Sequence, residues 1–231
     1  SYSNTGYLIL GILTSKLADK HWSEFLKERV FTPLGMTTAR MISERDIVMN
    51  RADGYELDDK DEVKNQEWVS PDVNTTGDGA LYFSEKDLAA WNTALDAGRF
   101  LSPEHFREWW TPVALANGTT FPYGFGWSLG ELRGHREIAH GASWQGFRSS
   151  IERFPEQRLN VSVLTNLSSA EPEKIAKTVA GLLEPAALDE VVQPLHRTIG
   201  LGRGRHVVEP FRHRSPSSSR KSSAPRPAIR A

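Results

Sequence analysis

The hydrophobic period changes once along this chain, and that change restricts the fold more than any other feature. Trp22, Phe25, Leu26 and Val30 follow i, i+3, i+4, i+8 spacing, and Leu88, Trp91 and Leu95 repeat it, so both segments predict amphipathic helices. Past Tyr123-Gly124-Phe125-Gly126-Trp127 the period becomes two. Phe125, Trp127 and Leu129 alternate, and Gly146 to Phe154 and Leu159 to Thr165 read as strands joined by a turn at Pro155-Glu156-Gln157, which predicts an antiparallel pair. Residues 171 to about 184, with Ile175, Val179, Leu182 and Leu183, predict a closing helix. A helical first half, then strands, then one helix is the pattern of an α+β fold.

Local signals sharpen the elements. Residues 5 to about 20 predict a mostly apolar helix, with Gly6 and Gly11 as places where another element approaches closely. Ser84-Glu85-Lys86-Asp87 is a capping-box start, and Ser102-Pro103 places a cap before a proline at the first helical position. Pro33-Leu34-Gly35-Met36 breaks the second helix. From Thr37 to Gly79 charge density rises and periodicity fades, which predicts loops and short strands.

With 231 residues, 39% of them hydrophobic, the chain can bury a sizeable core. The absence of cysteine excludes disulfides and thiolate chemistry, including Cys-ligated zinc. His135 and His140 are spaced like no metal motif, and no metal or other cofactor is expected. The apolar run Tyr7 to Leu13 is too short to span a bilayer, so no membrane span is expected. Net charge is −1, but residues 203–231 carry eight Lys or Arg against one acid, Glu209, making that segment +7 and the preceding one −8. Rich in Ser, Pro and Arg and poor in apolar residues, 203–231 is expected to be a disordered tail, with residues 1–202 as the folded domain. Lacking interleaved aromatics, the tail gives no expectation of nucleic-acid binding.

Two short segments carry candidate chemistry. Tyr2-Ser3-Asn4 places a phenol and a carboxamide in a turn that opens a buried helix. A phenol beside cations can act as a general base, and an Asn side chain can orient a lysine or a substrate amide. Alone, the tripeptide reads more simply as a surface tyrosine with Asn4 as a helix cap. The second segment, Ile138 to Phe147, holds His140-Gly141-Ala142-Ser143 on or just after a strand. Small residues at Gly141 and Ala142 would let a ligand lie along the strand edge, where backbone N–H groups, that of Ser143 among them, could meet a developing oxyanion. A lone histidine is more often structural.

Together these segments resemble the serine β-lactamase and DD-peptidase superfamily, above all its class C, penicillin-binding-protein-like esterase branch. The likeness extends through Phe31-Thr32-Pro33-Leu34-Gly35-Met36, Gly79 to Leu88, Tyr123 to Trp127 and Val163-Leu164-Thr165-Asn166, in family order over about residues 1–185. The resemblance implies an antiparallel sheet flanked by helices plus a helical subdomain. It also implies a site built from a Ser-x-x-Lys on a helix, a Tyr-x-Asn loop and a Lys-Thr-Gly or His-x-Gly strand, with an acyl-enzyme formed and hydrolysed. On that basis Tyr2, Asn4 and His140 are the catalytic candidates, and Gly141, Ala142 and Ser143 form the oxyanion and substrate side. The implied partner is a small-molecule ester, amide or peptide substrate. A periplasmic or secreted setting in bacteria rests on the resemblance alone.

Two departures qualify this picture. The only literal Ser-x-x-Lys, Ser218-Ser219-Arg220-Lys221, sits in the basic tail, so the nucleophile and the N-terminal strands are expected upstream of Ser1, and the chain reads as an inactive piece of a hydrolase. Ala142 stands where glycine is usual. His140, mostly neutral at pH 7 in place of lysine, implies esters, amides or D-amino-acid peptides in preference to carboxylate-bearing β-lactams. A noncatalytic binding or scaffold module with the same fold is the alternative, and a basic-tailed interaction protein a minor third.

Overall fold

A computed structural model describes residues 2–66, 68–70 and 76–182 of the chain. The expected basic tail and the 202/203 boundary lie outside those residues.

Helix α1 (Asn4–Ala18) is apolar on several faces, and Gly11 is its one buried residue. A Cβ on Gly11 would lie 2.9 Å from the Cα of Gly77, so the close approach expected at Gly11 is real, while Gly6 has open space around it. The second predicted helix is interrupted. Helix α2 (Trp22–Leu26) widens into a π-helical turn over Lys27–Phe31 and tightens again as α3 (Thr32–Leu34). Pro33 supplies the reason, because it donates no N–H and its ring crowds the carbonyl four residues earlier. Gly35 ends the run at φ 71°, with its N–H on Thr32 O and that of Met36 on Phe31 O.

Short strands follow as expected: β1 (Arg40–Met41), β2 (Tyr55–Leu57), β3 (Val63–Asn65) and β4 (Leu81–Tyr82), paired β1 with β4 and β2 with β3. Helix α4 (Glu85–Asp96) begins with the full capping box, Ser84 accepting from Asp87 N–H and Asp87 accepting from Ser84 N–H. Helix α5 (Pro103–Trp109) has Ser102 as its cap. A small hairpin, β5 (Val113–Ala114) and β6 (Thr120–Phe121), precedes the main sheet.

That sheet holds β7 (Ser128–Leu132), β8 (His135–Trp144), β9 (Phe147–Phe154) and β10 (Leu159–Thr165) in the order β10-β9-β8-β7, each pair antiparallel. Helix α6 (Pro172–Leu182) packs on β9 and β10. Strand formation starts at Ser128, later than the alternation suggested. Gly126, at φ 80°, turns the chain, leaving Phe125 exposed and Trp127 buried in a core with Leu95 and Ile138. A mixed architecture with a helix on the sheet is α+β, as expected. No helix among the described residues is long and apolar enough to cross a membrane.

The β8–β9 hairpin is pinned from outside. Its turn residues Gln145 and Gly146 both have positive φ, 45° and 77°, as a two-residue type I′ turn requires. Gly54 packs so tightly beneath that a Cβ there would sit 1.9 Å from Gln145 O. Asn166 holds the same loop, donating from Nδ2 to Asp53 O at 2.9 Å while its carbonyl accepts from Tyr55 N–H. Gly54→Ala is therefore expected to cost about 1–3 kcal/mol in urea unfolding, because backbone must move to admit the methyl. Gly79→Ala, with nothing within 4 Å of the added carbon, should stay within about 0.5 kcal/mol of the parent.

Candidate active site

Four rings meet where the start of α1 faces the middle of β8. Tyr2, 43% exposed, lies with its ring centroid 5.6 Å from Tyr7, 5.6 Å from Tyr123 and 5.9 Å from His140. Tyr123 and His140 are 6.2 Å apart by centroids, and Tyr123 Oη lies 3.0 Å from His140 Nε2. Tyr7 Oη donates to Tyr123 Oη at 3.5 Å. The two aromatic candidates from the sequence, Tyr2 and His140, are thus brought together across 138 positions of chain. Asn4 is exposed in the first helical position; the cap position belongs to Ser3, whose side chain makes no capping bond. Tyr7 and Tyr123 were not among the candidates. Tyr123 stood in a quoted aromatic-glycine run, but nothing local marks a phenol that meets an imidazole 17 residues later.

Burial disfavours charge on Tyr2, Tyr123 and His140. Burial, then Tyr7 and Asp78, raise the Tyr2 phenol above its ordinary value. Burial and contact with Tyr7 and Tyr2 raise Tyr123 much further. Burial holds the His140 imidazole below its ordinary value, partly offset by a hydrogen bond to the Gly141 backbone. An uncharged His140 agrees with the reading from residue type, and burial strengthens it. Tyr2 meets no charge here that would make it a base.

Among the described residues, strand β8 has an unpaired edge beside the rings. Its partner β7 begins opposite Ala139, so His140 to Trp144 extend beyond it. Both hairpins close with two-residue turns, at Arg133-Gly134 and Gln145-Gly146, and that fixes which residues are hydrogen-bonded pairs. His140, Ala142 and Trp144 exchange bonds with β9, whereas the backbone groups of Gly141 and Ser143 point to the uncovered edge. The Ser143 N–H thus points out of the sheet, away from β9. Side chains alternate the other way: His140 and Ala142 share the ring face, and Gly141 faces α6. A Cβ on Gly141 would meet Glu173 Oε1 at 2.3 Å. Its small size makes room for that carboxylate on the α6 face. No group of three or more metal-ligating side chains is found among the described residues.

The chain is 29% identical over 177 residues to penicillin-binding protein 4* of Bacillus subtilis (strain 168), covering 71% of this chain and 39% of that protein. It is 27% identical over 186 residues to the D-aminopeptidase of Gluconobacter oxydans (strain 621H), covering 79% and 34%. The chain therefore spans less than half the length of these curated relatives. Among solved structures, the octameric penicillin-binding protein homologue from Pyrococcus abyssi superposes with a TM-score of 0.67 at 27% identity, over 79% of this chain and 42% of that one. The D-amino acid amidase from Ochrobactrum anthropi SV3, complexed with L-phenylalanine amide, gives 0.63 at 25% identity, over 83% and 56%. The family described as Beta-lactamase matches residues 1–184, and the chain belongs to that family.

Proposed function

We propose that this chain is one side of the active site of a serine hydrolase that works through an acyl-enzyme on amides, esters or D-amino-acid peptides. The observation that carries the reading is the convergence of Tyr2 and His140, 5.9 Å apart by centroids, on the uncovered edge of β8. In this reading the Ser143 N–H stabilises the oxyanion, and Asn4, on the first turn of α1, orients the substrate amide. Tyr2 becomes a proton acceptor only with a cation beside it, the part that the lysine of a Ser-x-x-Lys would play. The similarity to a D-aminopeptidase and a D-amino acid amidase, and a neutral imidazole at the strand, support uncharged or amine-bearing substrates over carboxylate-bearing ones.

The residues 1–202 contain no Ser-x-x-Lys, so this chain alone is proposed to be inactive. A fluorophosphonate or penicillin probe is expected to leave its intact mass unchanged, and a stoichiometric adduct on the folded region would refute that inactivity. A longer form that supplies Ser-x-x-Lys is expected to be labelled, with Tyr2→Phe slowing acylation by about 10²–10⁴-fold. Were that form to hydrolyse a cephalosporin far faster than D-amino-acid amides or p-nitrophenyl esters, the proposed substrate class would be wrong.

A further inference from the structure

We propose that Tyr123 is a positioning residue, and that the chain of hydrogen bonds Tyr7 to Tyr123 to His140 holds His140 in its Nδ1–H tautomer with Nε2 as the acceptor. As a statement about catalysis this rests on the reading of the ring cluster as an acyl-transfer site; as a statement about His140 it starts from the contacts of the rings themselves.

A phenol has one proton to give. Tyr7 Oη donates to Tyr123 Oη at 3.5 Å, so the Tyr123 proton is free to point to His140 Nε2, 3.0 Å away. That nitrogen must then be bare, and in a neutral imidazole the proton lies on the other one. A second contact agrees. The Gly141 backbone beside the ring raises the basicity of His140, as a carbonyl near a ring proton does. In the opposite tautomer, Nε2–H would donate to Tyr123 and the Gly141 carbonyl would face a lone pair. Tyr123 is fixed in turn by its backbone: its N–H bonds Phe121 O at 2.7 Å, its carbonyl accepts from Val113 N–H at 3.0 Å, and it bridges to Ser128 just before the turn at Gly126.

Nε2 is therefore in use within the protein, facing Tyr123. A neutral His140 offers a substrate no positive charge. Its part is to lock the Tyr123 hydroxyl and the backbone at Gly141, next to the outward-facing groups of the strand edge. On that side the phenols of Tyr2 and Tyr123 join the Asn4 amide of the proposed site. This deepens the proposed substrate class, because none of these groups, nor His140, offers a cation to a substrate carboxylate.

Long-range ¹H–¹⁵N spectra of the ¹⁵N-labelled 231-residue chain at neutral pH, with His140 assigned by its loss in His140→Gln, test the inference. The expected result is one tautomer, with a protonated-type Nδ1 and a bare-type Nε2. Tyr123→Phe should turn this into a mixture of tautomers, and Tyr7→Phe should do so to a smaller extent. A wild-type spectrum showing Nε2–H overturns the proposal outright, so the result does not depend on either variant folding. Unchanged ring shifts in a folded Tyr123→Phe overturn it as well. Probe labelling of the longer form is a separate measurement, so the acyl-transfer reading and the tautomer assignment can fail independently.

Discussion

Asp96→Ala is expected to lower the free energy of unfolding by about 3 kcal/mol, and Arg153→Met by only about 1 kcal/mol, when both are measured by urea denaturation at neutral pH. Arg153 lies on β9 with its side chain 2% exposed, and its guanidinium pairs with Asp96 and donates to Asn92, both on α4. The Asp96 carboxylate, 36% exposed, also accepts from Asn160 Nδ2 at 3.1 Å. Removing the acid leaves a charge that cannot reach bulk water, supported by the neutral Asn92 carbonyl and by the face of Trp110 at 5.9 Å but by no counter-charge among the described residues. Removing the base leaves an acid that can hydrate, while methionine refills much of the volume. The asymmetry is the test: equal losses, or a larger loss in Arg153→Met, would show that packing and not the uncompensated charge governs this contact.

Arg153 also shows where the sequence stopped being legible. The capping box at Ser84, the cap at Ser102 and the hairpin of β9 and β10 rest on signals contained within a few residues, and each forms where it was expected. The alternation in β9 was readable too, but alternation says only that two faces differ. Glu152 and Arg153 are buried on opposite faces, one toward α6 and the other toward α4, because β9 is central and covered on both sides. A pattern of charged residues predicts solvent, and only the tertiary partners reverse it. The site divides in the same way. Tyr2 and His140 were visible through motif order, whereas Tyr7 and Tyr123 entered through contacts spanning 116 and 17 residues. Gly141 was visible as a small residue on the strand, whereas the Glu173 carboxylate packed against it was not.

The other buried charge predicts a pH dependence of opposite sense to the usual carboxylate. Glu152, 1% exposed, faces Glu137, 6% exposed, beneath α6. Burial first, then Glu137, push its carboxyl up to about 7 from an ordinary 4.5, although Ser150 Oγ donates to Oε1 at 2.8 Å and Lys177 is near. Lys177 Nζ, 43% exposed, pairs at 3.1 Å with Glu137 Oε2, while Glu137 Oε1 and Glu152 Oε2 are buried and find no donor. A proton shared between those two oxygens satisfies both, and it also removes one of two like charges. The folded state therefore binds this proton more tightly than the unfolded chain. Its contribution to stability is fully present below pH 4.5 and is lost as pH rises through about 7, a difference of about 3 kcal/mol at 1.4 kcal/mol per unit. Glu152→Gln replaces the shared proton with an amide hydrogen that no pH in this range removes. It is expected to match the wild type near pH 4.5 and to exceed it by about 2–3 kcal/mol at pH 8, with other titrations cancelling in the difference. A difference between the two proteins that stays flat from pH 4.5 to 8 would mean that the carboxyl is ionised in the fold throughout, with the burial beneath α6 compensated by Lys177 alone.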